Sequence, residues 1–519
     1  MKKSLICLVL VLVMLMLCAC GAEEPKIEIP DMEDLLADLT TAPQEEEETE
    51  PEQTETPTEP EVTEVPVEPI TVEEMDIRDI SVTVTKVGTM ANKDNLSFAS
   101  DMPVTRVYED EVAYYTLYSY MGEDLMGKTY NNFEYFVDGI TAAYTYSEEV
   151  PQCSLINVNT GETYLEDEAC QIEQLSDRFY YVIYATEQTE DKDEAFIYFT
   201  DNMFSIAPDE DDILYKGYAK IFDLEAGDFV GDIVLNEPND VTVCENTTLC
   251  VEVDWDTCDV YAADGTCLAE GVPTVTVCQD IMVQDTYEGI VIYDSEFNKL
   301  RELSDGDIVS EEGSTYTAYS NKYLKTYNSD EYPYLYGLTD MGGNLVLDTK
   351  YESIYKTYGD YVFVGMKKDD QYLYGVNLAD GTEIIPCEYR GAYVMDRLPL
   401  IRYYDYEDND FIYIPGVGSI NEAEYKKDSD VYYNLVNEDD YSTCNYLVYG
   451  TGETVTYTDA DVITSVLLFC EDGLMEMING EILVDAEEFN FDRVISTDEY
   501  LYCYDRAAGE YTIYRYEIG

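Results

Sequence analysis

The side chains that could do chemistry in this chain are its carboxylates. The sequence contains 111 Asp and Glu residues, 28 Lys and Arg residues and no histidine. The absence of histidine excludes Ser-His-Asp and Cys-His catalysis and histidine-based metal sites. Two carboxylates about 5 to 9 Å apart could hydrolyse a glycosidic bond. Because so many are present, no pair stands out. The sequence predicts no catalytic residue, and a glycan-active enzyme using a carboxylate pair stays an alternative.

Two acidic runs are the candidates for a cation site. One covers residues 208–212, and the other contains Asp405, Glu407, Asp408 and Asp410. Calcium prefers oxygen ligands of this kind. A calcium-binding loop also needs alternating aspartates, a glycine and a closing glutamate, and neither run has that spacing. The sequence therefore predicts no cofactor and keeps Ca²⁺ as a hypothesis.

Cysteines are numerous, and five of them fall within 35 residues: Cys244, Cys250, Cys258, Cys267 and Cys278. Zinc sites normally present two close ligands from one turn, which this spacing does not provide. Many cysteines in an exported chain can indicate a disulfide framework, but cysteine also serves as a small buried apolar residue. The irregular spacing favours reduced, buried thiols, and the sequence leaves the disulfide pattern open.

Phosphate and nucleic-acid binding are both disfavoured. The glycine-rich candidate for a phosphate cradle is Gly416-Val417-Gly418, which lacks the further glycine, the lysine and the helix that such a loop needs. The formal net charge of −83 repels nucleic acid, anionic lipid and anionic wall polymers. We therefore expect no nucleic-acid partner, whereas cations and basic proteins are favoured.

The N-terminus has the pattern of an export signal. It begins with a basic Met-Lys-Lys and continues with an apolar run over residues 5–17. This run is too short to cross a bilayer, which takes about 20 residues. The Leu-Cys-Ala-Cys ending at Cys20 resembles the bacterial lipobox. The resemblance implies a signal peptide over residues 1–19, lipidation of Cys20, and a mature chain that the acyl anchor holds on the outer face of the cytoplasmic membrane.

Residues 20–75 are predicted to form a disordered tether. They are rich in Glu, Pro and Thr, with an acidic run over residues 45–48. Low apolar content and dense like charge cannot offset the entropy lost on ordering, and proline with charge repulsion keeps such a segment extended. We expect the folded part to begin near Asp76 and to cover residues 76–519.

One pattern occurs twice in the folded part, at an offset of 38 residues. The copies cover residues 336–354 and 374–392, and each begins with Tyr-Gly and turns at a glycine, Gly343 or Gly381. The pair resembles the WG-repeat family, with Tyr336 and Tyr374 in place of the tryptophan. The resemblance implies a β protein built from repeats, and it carries over no catalytic residue.

A looser hairpin pattern recurs along the rest of the chain, in which an apolar strand meets a polar turn and a second strand follows. Asp-Gly and Asn-Gly pairs suit the positive φ angles of such turns. Besides Gly343 and Gly381, the turns are placed at Gly161, Gly227, Gly265, Asn298, Gly452, Gly480 and Gly509.

These hairpins, with no sustained helical periodicity, predict an all-β fold. A β-propeller of seven or eight blades fits 444 residues if a blade takes about 40 to 50 residues. The alternatives are a linear stack of β-hairpins or two β domains.

Tyrosine is unusually abundant, with 51 residues against 15 phenylalanines and one tryptophan. Most are expected to fill strands at the boundary between core and solvent. Some could be stacking platforms for sugar rings or peptide side chains, and the candidates are Tyr323, Tyr327, Tyr332, Tyr334 and Tyr336. The sequence thus predicts a non-catalytic lipoprotein for binding or scaffolding, with a glycan or protein ligand. A structural component of an envelope complex stays an alternative, and the oligomeric state is open.

Overall fold

The computed structural model describes residue 72 and residues 74–519, except 110–111, 147–151, 190–196, 200–212, 237–239, 255, 287–288, 305–313, 329–333, 370, 396–397, 422–425, 430–431, 438–439 and 459. Cys20, the predicted signal peptide over residues 1–19 and almost all of the predicted tether lie outside the described residues. Within the described part, the helical structure is one 3-10 turn, Ile77–Asp79. No helix there has the length and apolar character needed to cross a membrane.

The described residues form 44 strands. The first half of them are β1 Val82–Ala91, β2 Leu96–Ala99, β3 Met102–Glu109, β4 Val112–Leu117, β5 Asn132–Tyr135, β6 Ile140–Thr145, β7 Gln152–Asn157, β8 Glu162–Ala169, β9 Gln171–Gln174, β10 Phe179–Thr189, β11 Ile197–Phe199, β12 Ile213–Asp223, β13 Asp228–Phe229, β14 Val241–Cys244, β15 Thr248–Asp254, β16 Thr257–Ala262, β17 Cys267–Pro273, β18 Val275–Cys278, β19 Ile281–Thr286, β20 Gly289–Asp294, β21 Lys299–Ser304 and β22 Ser314–Ala318.

The remaining strands are β23 Tyr323–Asn328, β24 Tyr336–Asp340, β25 Leu345–Tyr351, β26 Ser353–Tyr358, β27 Tyr361–Lys368, β28 Gln371–Leu378, β29 Glu383–Tyr389, β30 Gly391–Val394, β31 Ile401–Tyr404, β32 Asp410–Ile414, β33 Gly418–Asn421, β34 Lys426–Ser429, β35 Tyr432–Asn437, β36 Asp440–Val448, β37 Glu453–Thr458, β38 Asp461–Thr464, β39 Leu467–Cys470, β40 Gly473–Glu476, β41 Ile482–Asp485, β42 Arg493–Ser496, β43 Tyr500–Asp505 and β44 Glu510–Ile518.

The strands pair as successive antiparallel sheets. Ten sheets have four or more strands, and we number them as blades 1 to 10 in chain order. Blade 1 is β5–β8, blade 2 is β9–β13, and blades 3 to 9 are β14–β17, β18–β21, β22–β25, β26–β29, β30–β33, β34–β37 and β38–β41. Blade 10 is β42–β44 with β1, and a three-stranded sheet of β2–β4 lies between blades 10 and 1 in the chain. This is a β-propeller, as the sequence predicts.

The first strand of the domain closes the ring. β1 pairs with β44 along its whole length, from Val82 opposite Ile518 to Ala91 opposite Glu510. Met90 of β1 also shares a hydrophobic cluster with Phe98 of β2, and Met102 of β3 shares another with Ile156 of blade 1. The first and last strands of the folded domain therefore close the blades into one ring. The alternative predictions of a linear stack of β-hairpins and of two β domains are wrong.

Neighbouring blades hold together through shared apolar faces. Leu347 of blade 5 packs with Ile354 of blade 6, and Phe363 of blade 6 packs with Ile401 of blade 7. A larger cluster joins blades 7 to 10. Since a single four-stranded sheet cannot bury both of its faces, this stacking supplies the core. The blade count of ten corrects the prediction of seven or eight, because short strands and tight turns fit a blade into about 38 residues.

Eight of the nine predicted hairpin turns join the last two strands of a blade, and the ninth, at Gly509, joins β43 and β44, the second and third strands of blade 10. A residue with positive φ stands in each, for example Gly343 at 81° and Gly381 at 87°. In blade 4 a non-glycine residue, Phe297, takes this place at 63°. Gly416, with φ 79°, stands in the corresponding turn of blade 7. The segment considered as a phosphate loop is therefore the hairpin between β32 and β33.

The two Tyr-Gly copies have the same strand pairing. In blade 5, Tyr336 lies opposite Tyr351 and Leu338 opposite Leu347. In blade 6 the equivalent pairs are Tyr374 with Tyr389, and then Val376 with Ile385. Both ladders shift register at the same two steps. The two segments are therefore structural repeats as well as sequence repeats.

Because neighbouring strands of a blade are antiparallel, successive turns lie alternately on the two opposite faces of the propeller. We call the face with the first-to-second and third-to-fourth turns the turn face, and the opposite face the cleft face. A segment ahead of β1, residues 72 and 74–81, packs on the turn face, and we call it the strap. Ile77 N–H donates to Pro415 O at 3.1 Å, and Arg78 Nη2 donates to Gly416 O at 3.5 Å. The strap therefore ties blade 7 to the strand that closes the ring.

Candidate functional site

A cleft of about 550 Å³ opens between blades 6 and 7, on the cleft face. Five of its nine lining residues are tyrosines. The lining residues are Ser353, Tyr355, Tyr372, Tyr374, Arg390, Gly391, Ala392, Tyr393 and Tyr404. Its volume lies in the range of about 300 to 1,000 Å³ typical of small-molecule sites.

The strands and two glycines determine where these rings lie. Tyr372 and Tyr374 are two residues apart on β28, so both side chains project from the same side of blade 6. A β-carbon on Gly365 would lie 2.7 Å from the Tyr372 ring, and one on Gly391 would lie 2.6 Å from the Tyr404 ring. The glycines leave the space in which these rings pack against the backbone.

Tyr355 connects the two blades across the cleft. Its hydroxyl donates to Ala392 O at 2.8 Å, and its ring meets Tyr374 edge to face at 5.4 Å. The residue is nevertheless 42% exposed, so part of the ring faces solvent. Burial of the hydroxyl, with the nearby Tyr374 and Cys387, raises the pKa of Tyr355 well above its ordinary value. The hydroxyl therefore stays protonated at neutral pH.

Two arginines contribute to the cleft in different ways: Arg390, just before β30, lines it, and Arg402 of β31 contacts one of its tyrosines. Arg402 donates to the Tyr393 hydroxyl at 2.6 Å and pairs with Asp410 at 2.8 Å, which positions the Tyr393 ring. Arg390 is half exposed and pairs with the exposed Asp408 at 3.3 Å. Such a solvent-exposed pair is weak, so both charged groups can exchange partners with the hydroxyls of a ligand.

Of the five tyrosines proposed from sequence as stacking platforms, one is buried, one is not described, and three pack together. Tyr323 is only 1% exposed and its hydroxyl donates to Asp360, so it is a core residue and cannot act as a platform. Tyr332 lies outside the described residues. Tyr327 packs against Tyr334 and Tyr336, with ring centroids 6.2 and 5.6 Å apart. The sequence candidates missed the cleft between blades 6 and 7, although the 38-residue offset leads from Tyr334 and Tyr336 to Tyr372 and Tyr374.

The carboxylates of the acidic loop at residues 405–410 do not converge on a cation. Asp405 accepts from the backbone N–H groups of Glu407 and Asn409 and stabilises the turn. Asp408 and Asp410 instead pair with two different arginines. The other acidic run, residues 208–212, lies outside the described residues. Among the residues with described side chains, no group of three or more candidate ligands gathers for a metal ion.

Five carboxylates are buried in the described part of the chain: Asp101, Asp223, Asp340, Asp360 and Glu476. Each has structural partners. Asp340 accepts from the N–H groups of Gly342 and Asn344, and Glu476 accepts from Ile478, Asn479 and Glu481. Such contacts stabilise turns at strand ends.

The remaining three buried carboxylates hold parts of the ring together. Asp101 accepts from Thr497 Oγ1 at 2.5 Å and so joins the three-stranded sheet to blade 10. Asp223 pairs with Arg178, and Asp360 with Lys322. The buried carboxylates therefore serve the fold, and none lines the tyrosine cleft.

The cysteines lie mostly in strand cores. Eight of the ten with described side chains are buried, Cys267 is exposed, and no disulfide joins any of these ten. Cys244, Cys250 and Cys258 pack together in the apolar cluster between blades 3 and 4. Burial raises the pKa of Cys250 to about 12, so its thiol stays protonated. They act here as small apolar residues.

A second cleft of about 530 Å³ lies between blades 2 and 3. Its lining includes Ile233, Val234, Val251 and Val253, and its one aromatic ring is Tyr261. Its polar side chains are those of Asp232, Asn236 and Asp259, so the lining has no basic group and no second aromatic face for stacking. The tyrosine cleft is therefore the stronger candidate.

The solved structures to which the chain is similar share little sequence with it, and they leave the ligand open. No family model and no curated protein matches the sequence. Among solved structures, the chain is similar to BamB from Moraxella catarrhalis, at 12% identity and TM-score 0.19, over 64% of this chain and 100% of that one. The β-propeller domain of the Trilobed protease from Pyrococcus furiosus matches at 9% identity and TM-score 0.25, over 65% and 96%. A eukaryotic initiation factor matches at 8% identity and TM-score 0.35, over 70% and 96%.

Proposed function

We propose that this chain is a lipid-anchored binding protein outside the cytoplasm, and that its ligand is a neutral glycan held in the tyrosine cleft. The observation that carries the proposal is the convergence of five tyrosines in one open cleft. Aromatic rings offer flat apolar faces, and their hydroxyls can hydrogen-bond at the rim. Sugar rings present both an apolar C–H face and hydroxyl groups, which suits this lining.

The charge of the chain supports a neutral ligand over an acidic one. With a net charge of −83, the protein repels anionic polymers before they reach the surface. Arg390 lines the cleft and pairs with the exposed Asp408, so a donor and an acceptor lie side by side there. A neutral sugar can bond to both without the cost of bringing another negative charge to the protein.

The binding proposal is tested on an array of neutral and acidic glycans with the purified full-length chain. We expect retention of neutral glycans, and Tyr393→Ala should weaken it by about tenfold or more, the scale of a hot-spot truncation. The matched control is Tyr108→Ala, since Tyr108 is 59% exposed and lies on the distant three-stranded sheet. No retention of any glycan, or equal retention by both variants and the wild type, would overturn the proposal.

The anchor is tested separately by Cys20→Ser. The apolar leader and the small residues before Cys20 support the proposed lipidation. We expect the variant to lose its acyl chains and to leave the membrane fraction, whereas Cys18→Ser should stay in it. Continued membrane retention of Cys20→Ser would refute the anchor without affecting the glycan proposal.

A further inference from the structure

The tyrosine cleft has a counterpart one blade earlier. Two of the tyrosines that line it, both on β28 of blade 6, have equivalents 38 residues before them: Tyr372 corresponds to Tyr334, and Tyr374 corresponds to Tyr336. The strand pairing in blades 5 and 6 is the same, so the equivalence holds in space as well as in sequence. The repeat thus places a second set of tyrosines on the cleft face, between blades 5 and 6.

The rings of blade 5 form a group of their own. Tyr327 contacts both Tyr334 and Tyr336, and Tyr334 is 43% exposed. Lys325 Nζ lies 5.3 Å from the Tyr336 ring centroid. Lys325 lies opposite Leu338 on the neighbouring strand of blade 5, and Phe363 lies opposite Val376 in the same way in blade 6. Lys325 therefore takes the position that an aromatic residue has in blade 6. The counterpart site therefore keeps its tyrosines and gains a cationic donor.

We infer that blades 5 and 6 carry two neighbouring, equivalent subsites, and that together they bind a linear neutral polysaccharide along the cleft face. This inference rests on the proposed glycan-binding function. Stacked sheets lie about 10 Å apart, so adjacent subsites are separated by more than one sugar ring and a chain of several rings is needed to occupy both. The net charge of −83 excludes acidic chains as the preferred partner. Two linked contacts increase affinity through their effective concentration.

The test is calorimetric titration of the full-length chain with cello- and chito-oligosaccharides of two and six rings. In at least one series, we expect the six-ring chain to bind at least about tenfold tighter than the two-ring chain. Tyr334→Ala should reduce the six-ring affinity by about tenfold and leave the two-ring affinity within about twofold. Tyr334→Phe keeps the stacking face and should retain the six-ring affinity.

The outcomes separate the two proposals. The tandem subsites are overturned if both chain lengths bind with equal affinity. They are also overturned if Tyr393→Ala weakens six-ring binding and Tyr334→Ala leaves it unchanged. Either result leaves the proposal of a single binding cleft standing. No binding of either length in either series overturns both. Tyr108→Ala serves as the surface control, and an unchanged thermal midpoint shows that each variant is folded.

Discussion

Gly375 lies directly beneath the carbonyl oxygen of Ile385 on the neighbouring strand. A β-carbon at Gly375 would come within 2.6 Å of that oxygen and 2.9 Å of Cys387 Cα. Gly337 has the same relationship to Leu347 O, also at 2.6 Å. The colliding atoms are backbone atoms, which cannot rotate away. The glycine of each Tyr-Gly pair therefore permits the close approach of the fourth strand to the third.

Replacing this glycine should destabilise the propeller. For Gly375→Ala we expect a loss of about 1–3 kcal/mol in the free energy of unfolding, the usual cost of overpacking. The measurement is chemical denaturation followed by circular dichroism. Gly88→Ala is the matched control, because the β-carbon there would meet only the flexible end of Met121. Equal stability of Gly375→Ala and wild type would contradict the close strand approach.

The buried ion pair of blade 2 should make stability depend on pH. Burial opposes ionisation of Asp223, but hydrogen bonds from Arg178 and from backbone N–H groups outweigh it, and the pKa of Asp223 is lowered from 3.8. A lowered pKa contributes stability above pH 3.8, which is lost as the pH falls through the folded-state value. Asp223→Asn should therefore cost about 1–3 kcal/mol at pH 7 and progressively less towards pH 3.

The control for Asp223 is the other acidic partner of the same arginine. Glu225 also pairs with Arg178, at 3.0 Å, but its side chain is 75% exposed. Because exposed pairs contribute little, Glu225→Gln should change the unfolding free energy by no more than about 0.5 kcal/mol at any pH. If both variants showed the same pH-independent loss, the assignment of the effect to the buried pair would be wrong.

The strap should contribute to the stability of the whole ring. Ile77 is fully buried in the cluster that joins blades 7 to 10. Ile77→Ala should lower the free energy of unfolding by about 2–5 kcal/mol, as other large-to-small core substitutions do. Val107→Ala, at a position that is 51% exposed, is the control and should stay within about 0.5 kcal/mol. An unchanged unfolding curve for Ile77→Ala would mean that the ring does not need the strap.

Among the ten cysteines with described side chains, Cys267 should react fastest with a thiol reagent in the folded protein. It is the exposed member of the ten cysteines with described side chains, whereas Cys503 is buried. Burial, Glu270 and Asp259 raise the pKa of Cys267, so its reaction with a disulfide reagent should accelerate as the pH rises above 9. Cys267→Ser should remove the fast phase of a stopped-flow trace, and Cys503→Ser should keep it. Survival of the fast phase in Cys267→Ser would contradict the described exposure.

The sequence predicts the part of each blade that has a distinctive turn. Gly, Asp and Asn residues predict nine hairpin turns, and the structure confirms all nine: eight join the last two strands of a blade, and the one at Gly509 joins the second and third strands of blade 10. The equivalent turn at Gly416 is not among them, because Gly416-Val417-Gly418 was considered as a phosphate loop, although the preceding Pro-Gly pair is a turn signal. The first two strands of each blade have ordinary β-forming residues and no marked turn, so the blade count was too low.

The candidate site was predictable only in part, since a cleft depends on which blade faces which. Tyr334 and Tyr336 were proposed as platforms and do lie at a blade surface, whereas Tyr323 is buried and bonded to Asp360. Nothing in the composition distinguishes these roles, because strand tyrosines alternate between faces. The glycines that make room for Tyr372 and Tyr404 are identifiable only once the strands are paired.

A crystal structure of the protein with a cello- or chito-hexasaccharide that it binds tests the central claim most directly. We predict sugar rings stacked on Tyr374 and Tyr393, with the chain continuing towards Tyr334 and Tyr336 on the same face of the propeller. Ordered sugar bound elsewhere on the ring, with the tyrosine cleft empty at saturating ligand, would contradict it.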